Sequence, residues 1–157
     1  MPKVNPIYIP STLTKKDRKK QINSIKKRTN RPKLNSYISK RSKFAKLYEK
    51  KYNQKITNKT YITKNFLSKK GIELILNKGK AAYYTSGSRP NQTKESWAYG
   101  RLASVILFGP AFYIDQNIAV KYGKQSWIKS KRSKKIKKIK KEKKDQKRLK
   151  KLELKYI

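Results

Sequence analysis

The stretch "SGSRPNQTKESWAYGRLAS", residues 86–104, differs in composition from the rest of this chain. It is nearly neutral and contains glycine, proline and aromatic residues, whereas 45 of the 157 residues of the chain are Lys or Arg. The run from Gly87 to Asn91 consists of residues that favour turns. Thr93 is a residue type that caps helix N-termini, and Glu95 would lie as an acid in the first turn. We therefore predict a tight turn that leads directly into a capped helix.

The predicted helix has two faces of different character. Its apolar face follows the i, i+4, i+7, i+8 spacing of a buried stripe and contains Ala98, Leu102, Val105 and Ile106. A second face has small residues that would let another backbone approach closely, namely Ser96, Gly100, Ala103 and Ser104. We expect Gly109-Pro110 to end this helix, and a further short helix or a turn to follow.

The charge outside this stretch divides the chain into three parts. The formal net charge is +20 for residues 1–71, +4 for residues 72–127 and +13 for residues 128–157, and every glycine lies between positions 71 and 123. We predict a small helical domain over residues 41–127, a basic N-terminal arm over residues 1–40 and a lysine-rich C-terminal helix or tail over residues 128–157. The predicted fold class is therefore mainly α, with an extended basic arm, a basic C-terminal helix and a small core.

Further elements are predicted on both sides of the central stretch. Prolines at positions 2, 6 and 10 favour an extended start, after which Thr14 can cap a first helix. A second helix is predicted over "SKFAKLYEKKY", whereas "NQKITNKTYITKN" is expected to be a loop or a short strand. Before the tight turn at residues 87–91, which we call the central turn, an apolar helical face precedes Gly79. We place Gly79 as a C-terminal helix stop. Two short packed helices around this glycine are favoured over a helix-turn-helix motif.

Composition excludes several kinds of site. The chain has no Cys and no His, which excludes disulfides, thiolate nucleophiles and the usual structural zinc sites. Acid–base catalysis would depend on Glu73, Glu95, Asp115 or a tyrosine, and no spacing suggests a catalytic pair. Three central carboxylates also make a metal site a poor interpretation, and no phosphate-binding glycine loop is present. We therefore expect a protein that is not an enzyme and has no metal, cofactor or small-molecule substrate.

Apolar segments are too short for a membrane protein. No run approaches the roughly 18 apolar residues of a spanning helix, and no apolar segment with a cleavage site follows Met1. We therefore expect neither a membrane span nor secretion.

The segment "NKGKAAYYTSGSRPNQTKESWAYGRLASVI" resembles a small domain of unknown function found in lysine-rich proteins of large eukaryotic DNA viruses and, in looser form, of bacteriophages. The matching positions are Lys78-Gly79, "AAY" at 81–83, "SGSRP" at 86–90, Thr93, Trp97, Arg101 and Ser104. Two positions depart from the pattern: Gly100 stands in place of alanine, and "FGPA" at 108–111 replaces a turn that contains glycine and lysine. The resemblance implies a viral source and a place in the virion, and it implies no reaction.

The formal charge of +37 calls for an anionic partner. Nucleic acid, with DNA favoured, is the default because each neutralised phosphate releases a condensed counterion. The predicted contacts are Lys80, Arg89, Thr93, Lys94, Arg101, Lys134, Lys135, Lys137, Lys138, Lys140 and Lys141. Thr93 and the free amides that follow it form a candidate phosphate seat.

Two interpretations of the central aromatic and arginine residues remain open from the sequence. In the first, Arg89 and Arg101 contact phosphates, and unpaired bases stack on Tyr83, Tyr84, Trp97 and Tyr99. In the second, the aromatic rings are core, and the arginines bind carbonyls or pair with Glu73, Glu95 or Asp115. We favour core for Trp97 and leave Arg89 undecided.

Three functions fit the chain. The favoured one is a non-enzymatic, virion- or genome-associated protein that binds nucleic acid, located in the virion and, during infection, in the host cytoplasm or viral factory. The alternative is a minor capsid or other structural virion protein whose basic arms bind acidic capsid subunits. A ribosomal protein is the third. The lysine-rich tail is helix-permissive, and we favour an arm that orders on its partner over a tail that stays solvated.

Overall fold

The structure is a computed structural model that describes residues 3–155, apart from the side chains of residues 132–137. The chain is 67% helical, and no strand is present among the residues that the structure describes. This confirms the mainly α fold class predicted from the sequence. In chain order the helices are a short 3-10 helix (Pro6–Tyr8), α1 (Lys15–Lys26), α2 (Lys43–Tyr52), α3 (Lys59–Asn65), α4 (Lys69–Thr85), α5 (Lys94–Ile106), α6 (Pro110–Ile114), α7 (Gln116–Tyr122) and α8 (Gln125–Lys155).

The central turn and α5 form as predicted. Gly87 has a φ of 93°, a left-handed conformation that glycine adopts without strain. Thr93 and Ser96 form a reciprocal capping box, in which each side-chain oxygen accepts a hydrogen bond from the other residue's backbone N–H, both at 3.1 Å. The predicted apolar face of α5 is fully buried: Ala98, Leu102, Val105 and Ile106.

Helix α4 packs along α5, and this pair is the centre of the domain. The prediction that Gly79 ends a helix is wrong, because α4 continues to Thr85 as one helix of 17 residues. A Cβ atom at Gly79 would lie 2.6 Å from the Cα atom of Ala98 on α5. Gly79 is therefore the point where the two helices come closest, and the interpretation as two short helices is wrong for the same reason.

The segment predicted as a loop or short strand contains a helix, so that prediction is wrong for residues 59–65. The Asn58 side chain accepts a hydrogen bond from Tyr61 N and caps α3. Ile62 on α3 is completely buried in the core. The cap and the buried Ile62 side chain both stabilise this short helix, and neither produces a helical period in the sequence.

Aromatic rings fill the core between the helices and fix the start of α8. Trp127, near the beginning of α8, stacks on Phe108 with ring centroids 5.2 Å apart. Its indole Nε1 donates a hydrogen bond of 3.0 Å to the carbonyl of Ile106. The ammonium of Lys131 lies 4.1 Å from the ring centroid of Phe112. The first turns of α8 are therefore part of the domain.

Beyond residue 137, every residue of α8 as far as residue 155 is exposed. The predicted lysine-rich C-terminal helix thus corresponds to α8, and the last two positions of the predicted segment lie outside the described residues.

The segment predicted as an extended N-terminal arm lies against the helical domain. Gln21 of α1 is completely buried, and its amide donates a hydrogen bond of 2.8 Å to the carbonyl of Ser88 in the central turn. The side chain of Asn91 accepts a hydrogen bond from Leu34 N and donates one to Leu34 O, at 2.6 and 3.1 Å. These polar contacts tie residues 21–34 to the central turn, so this segment belongs to the folded unit.

Candidate nucleic-acid interface

A groove of about 830 Å³ lies between the N-terminal segment, α2 and α5. The 3-10 helix contributes Ile7 and Tyr8 to its lining, and α5 contributes Trp97 and Arg101. Helix α5 and the start of α2 come close at Gly100, where a Cβ atom would lie 3.1 Å from the Ser42 hydroxyl oxygen. The groove therefore follows the small-residue face of α5 that the sequence indicated.

The lining of the groove carries positive charge only. Six Lys and Arg residues line it and no Asp or Glu does: Lys40, Arg41, Lys43, Lys46, Arg89 and Arg101. Like charges collected around a concave, partly apolar surface focus the electrostatic potential there. The groove is therefore suited to a polyanion.

Part of the groove lining, which we call the floor, is apolar and aromatic. The rings of Tyr8 and Trp97 meet edge to face, with centroids 6.0 Å apart and planes at 74°. Ile7 and Ile114, which also line the groove, are 57% and 69% exposed. Trp97 itself is half-buried. The preference for Trp97 as a core residue is therefore only partly right.

Arg101 lines the groove but is held by an ion pair within the domain. Its Nε and Nη2 atoms donate hydrogen bonds of 2.7 and 2.8 Å to the two carboxylate oxygens of Asp115. The Asp115 side chain is completely buried, and Lys78 Nζ lies 3.6 Å from its Oδ1 atom. The hydrogen bonds from Arg101 to this carboxylate raise the pKa of Arg101. Arg101 thus clamps α5 to the junction of α6 and α7, which is the second of the two interpretations left open by the sequence.

Arg89 is arranged differently. It is exposed, and its guanidinium has no hydrogen bond or ion pair with a described residue. The residues on either side of it in the turn, Ser88 and Pro90, are buried. A fixed turn therefore presents a free guanidinium at the edge of the groove, as a phosphate contact requires.

Thr93 and Lys94 lie in a separate, smaller hollow of about 300 Å³. The Thr93 hydroxyl is already used as the helix cap, and Lys94 Nζ lies 3.9 Å from a carboxylate oxygen of Glu95. The candidate phosphate seat therefore lies apart from Arg89, and its threonine oxygen serves α5.

The wall of this hollow is formed by a buried arginine and a buried tyrosine. Arg31 is 6% exposed, and its guanidinium lies 4.9 Å from the ring centroid of Tyr83 and donates to the Tyr83 carbonyl at 2.6 Å. The Tyr83 hydroxyl accepts a hydrogen bond from Arg31 N and donates one to Gln92 O. Burial raises the pKa of Tyr83 and lowers the pKa of Arg31. Tyr83 is therefore a core residue, and it does not stack on bases.

The remaining predicted contacts are spread over α4 and α8. Lys80 is half-buried on α4 and lines neither hollow. Of the predicted contacts on α8, Lys138, Lys140 and Lys141 have exposed side chains. The backbone of α8 includes Lys134, Lys135 and Lys137, whose side chains lie outside the described part of the chain. Among the predicted contacts whose side chains the structure describes, only Arg89 and Arg101 line the groove.

Sequence reasoning missed the four groove cations between residues 40 and 46. The signal was the basic run "SKRSK" at 39–43, directly before the apolar face that begins at Phe44. A cluster of cations that adjoins aromatic residues is typical of nucleic-acid contacts. Arg41 is also paired with Glu49, whose pKa the hydrogen bonds from Arg41 lower.

Two further observations concern other kinds of site. Among residues 3–155, no group of three or more Asp or Glu side chains is placed to hold a metal ion. None of the described helices is both long enough and apolar enough to cross a membrane.

The chain belongs to the family of unknown function DUF5824, whose model matches residues 10–119. The match includes the central turn and α1 to α6, and it ends before α8. It confirms the part of the resemblance that concerns a domain of unknown function. No curated protein and no solved structure matches the chain significantly.

Proposed function

We propose that this member of the DUF5824 family is a non-enzymatic protein that binds nucleic acid, DNA in the first instance, through contacts to phosphate. The proposal places it with the genome or in the virion of a large DNA virus, and in the host cytoplasm or viral factory during infection, as the sequence resemblance implies. The observation that supports it most directly is that the Lys and Arg side chains of α8 beyond residue 137 are exposed and have no ion-pair partner among the described residues.

The Lys and Arg side chains of α8 beyond residue 137 are exposed, and no carboxylate of a described residue neutralises them through an ion pair. Between residues 138 and 155 the helix carries ten Lys or Arg and three carboxylates, a net charge of +7, and every residue is exposed. At a rise of about 1.5 Å per residue this segment is about 27 Å long. None of its three carboxylates forms an ion pair with a described residue. No ion pair within the described chain offsets this repulsion, whereas bound phosphates would.

A salt titration of binding to random-sequence duplex DNA tests the proposal. Each neutralised phosphate adds about −0.9 to the slope of log K against log salt. If half of the α8 cations contact phosphates, α8 contributes roughly −4 to −5 to that slope. We compare the full chain with a variant in which Lys138, Lys140, Lys141, Lys144 and Lys147 are replaced by Gln, which keeps helix propensity high.

The matched control replaces five exposed lysines near the N-terminus by Gln, namely Lys15, Lys16, Lys19, Lys26 and Lys27. We expect the α8 variant to lose more of the salt slope than this control. Weak binding of the full chain with a shallow salt slope would overturn the proposal.

One observation favours the second function, a minor capsid or structural virion protein with acidic partners. Leu149, Leu152 and Leu154 on α8 are 60%, 52% and 71% exposed. Phosphates do not cover leucine side chains, whereas a groove on an acidic protein would. Retention of the chain in nuclease-treated empty particles, together with weak DNA binding, would favour this function over the first.

A further inference from the structure

We propose that the groove between the 3-10 helix, α2 and α5 binds single-stranded nucleic acid and holds an unpaired base against Trp97. This inference rests on the proposed nucleic-acid binding and deepens it. It assigns single strands to the groove, as a site distinct from the phosphate contacts of α8.

The charge of the groove selects a polyanion. All six charged residues of the lining are Lys or Arg, and two of them, Arg41 and Arg101, have a carboxylate partner outside the lining. The other four have no ion pair with a described residue: Lys40, Lys43, Lys46 and Arg89. Four free cations spread around one concavity can follow the successive phosphates of a bound strand.

The aromatic floor selects an unpaired base. Trp97 lines the groove, is half-buried, and meets the ring of Tyr8 edge to face. Stacking of bases on aromatic side chains is sequence-tolerant, because every base has a π-face. In a duplex the base faces are stacked on one another, so an apolar floor surrounded by cations offers more to a single strand. Proteins that bind single strands combine these same two features.

The two tryptophans of the chain make this inference directly measurable. Trp97 lines the groove, whereas Trp127 is 4% exposed and packed in the core. Titration of the full chain with a 12-nucleotide oligo-dT should quench the fluorescence of Trp97. In Trp97→Phe, Trp127 is the remaining tryptophan, and the same titration should leave its fluorescence unchanged.

Affinity measurements complete the test. We expect Trp97→Leu to weaken oligo-dT binding about tenfold at fixed salt, the effect of losing one stacked base. We expect it to change binding of a 12-base-pair duplex less than twofold. Trp97→Phe retains an aromatic ring, so it should keep most of the oligo-dT affinity of the wild type. If Trp97→Leu does not fold, the Trp97→Phe variant takes its place in the affinity measurement. The α8 variant described above should show the opposite pattern, with the larger loss on the duplex.

Several results would overturn the inference. One is an absence of quenching in the full chain, and another is an equal loss of single-strand and duplex binding in Trp97→Leu. Displacement of oligo-dT from the groove by an aromatic-containing poly-Glu peptide of equal charge, at equal concentration, would assign the groove to an acidic protein. If the full chain also fails to bind the duplex, the proposed function itself is wrong. If it binds the duplex with a steep salt slope and Trp97 has no effect, only the groove inference is wrong.

Discussion

Arg89 and Arg101 line one groove, but the structure predicts different effects on folding stability when each is replaced by glutamine. Removal of one partner from a buried ion pair costs about 3–5 kcal/mol of folding stability. Arg101 is 19% exposed, and Lys78 stays 3.6 Å from the stranded Asp115 carboxylate. Both facts reduce the cost, so we expect Arg101→Gln to lose about 2–3 kcal/mol. Arg89→Gln removes no described contact and should stay within about 0.5 kcal/mol.

Urea unfolding followed by tryptophan fluorescence measures this difference. With a urea dependence of about 2 kcal/mol per molar, Arg101→Gln should lower the midpoint by roughly 1 M, and Arg89→Gln should leave it unchanged. Addition of Asp115→Asn to Arg101→Gln removes the buried carboxylate charge that has lost its arginine partner, and should restore part of the loss. In binding, Arg89→Gln should weaken the nucleic-acid complex at unchanged stability. A wild-type midpoint for Arg101→Gln would refute the assignment of this arginine as an internal clamp.

The remaining predictions concern stability, measured by the same unfolding assay. Gly79→Ala should destabilise the protein by about 1–3 kcal/mol despite the higher helix propensity of alanine, because the added Cβ atom would clash with the backbone of α5. Gly100→Ala is the comparison, because a Cβ atom at Gly100 would contact only the Ser42 side chain. Its stability should stay within about 1 kcal/mol of wild type. Thr93→Ala should cost about 1 kcal/mol through loss of the α5 cap. Arg41 lowers the pKa of Glu49 below its ordinary value of 4.5, so this pair stabilises the fold above that pH and its contribution should be lost as the pH falls further. Glu49→Gln should flatten that part of the stability profile, and an unchanged acid limb would contradict the assignment.

The parts of the fold that could be predicted from sequence are those with local causes. The cap, the turn and the apolar spacing of α5 all lie within residues 86–106, and each acts on its own neighbours. The role of Gly79 could not be predicted from the sequence, because a glycine after an apolar helical face is equally compatible with a helix end and with a close contact between two helices. Only the position of Ala98 on a different helix distinguishes the two.

In the N-terminal segment, the burial of polar residues could not be predicted from the sequence for the same reason. Gln21 and Arg31 are hydrophilic and lie among lysines, so the sequence predicts exposure. Their hydrogen-bond acceptors, the carbonyls of Ser88 and Tyr83, are 67 and 52 residues away along the chain. Burial of such groups is tolerated because these acceptors are present, and no local pattern shows where the acceptors will be.

Composition, capping and periodicity are local properties, so the amino-acid sequence alone is enough to show a helical, strongly cationic protein built around one nearly neutral turn and helix. Which of the cations are free depends on contacts between residues that are distant in the sequence. Arg89 and Arg101 are 12 residues apart and chemically identical, yet one meets solvent and the other a carboxylate that is completely buried. A buried carboxylate requires a counter-charge, and the fold places Asp115 beside Arg101. The same packing gathers the basic run before α2 around Trp97 and thereby forms the groove.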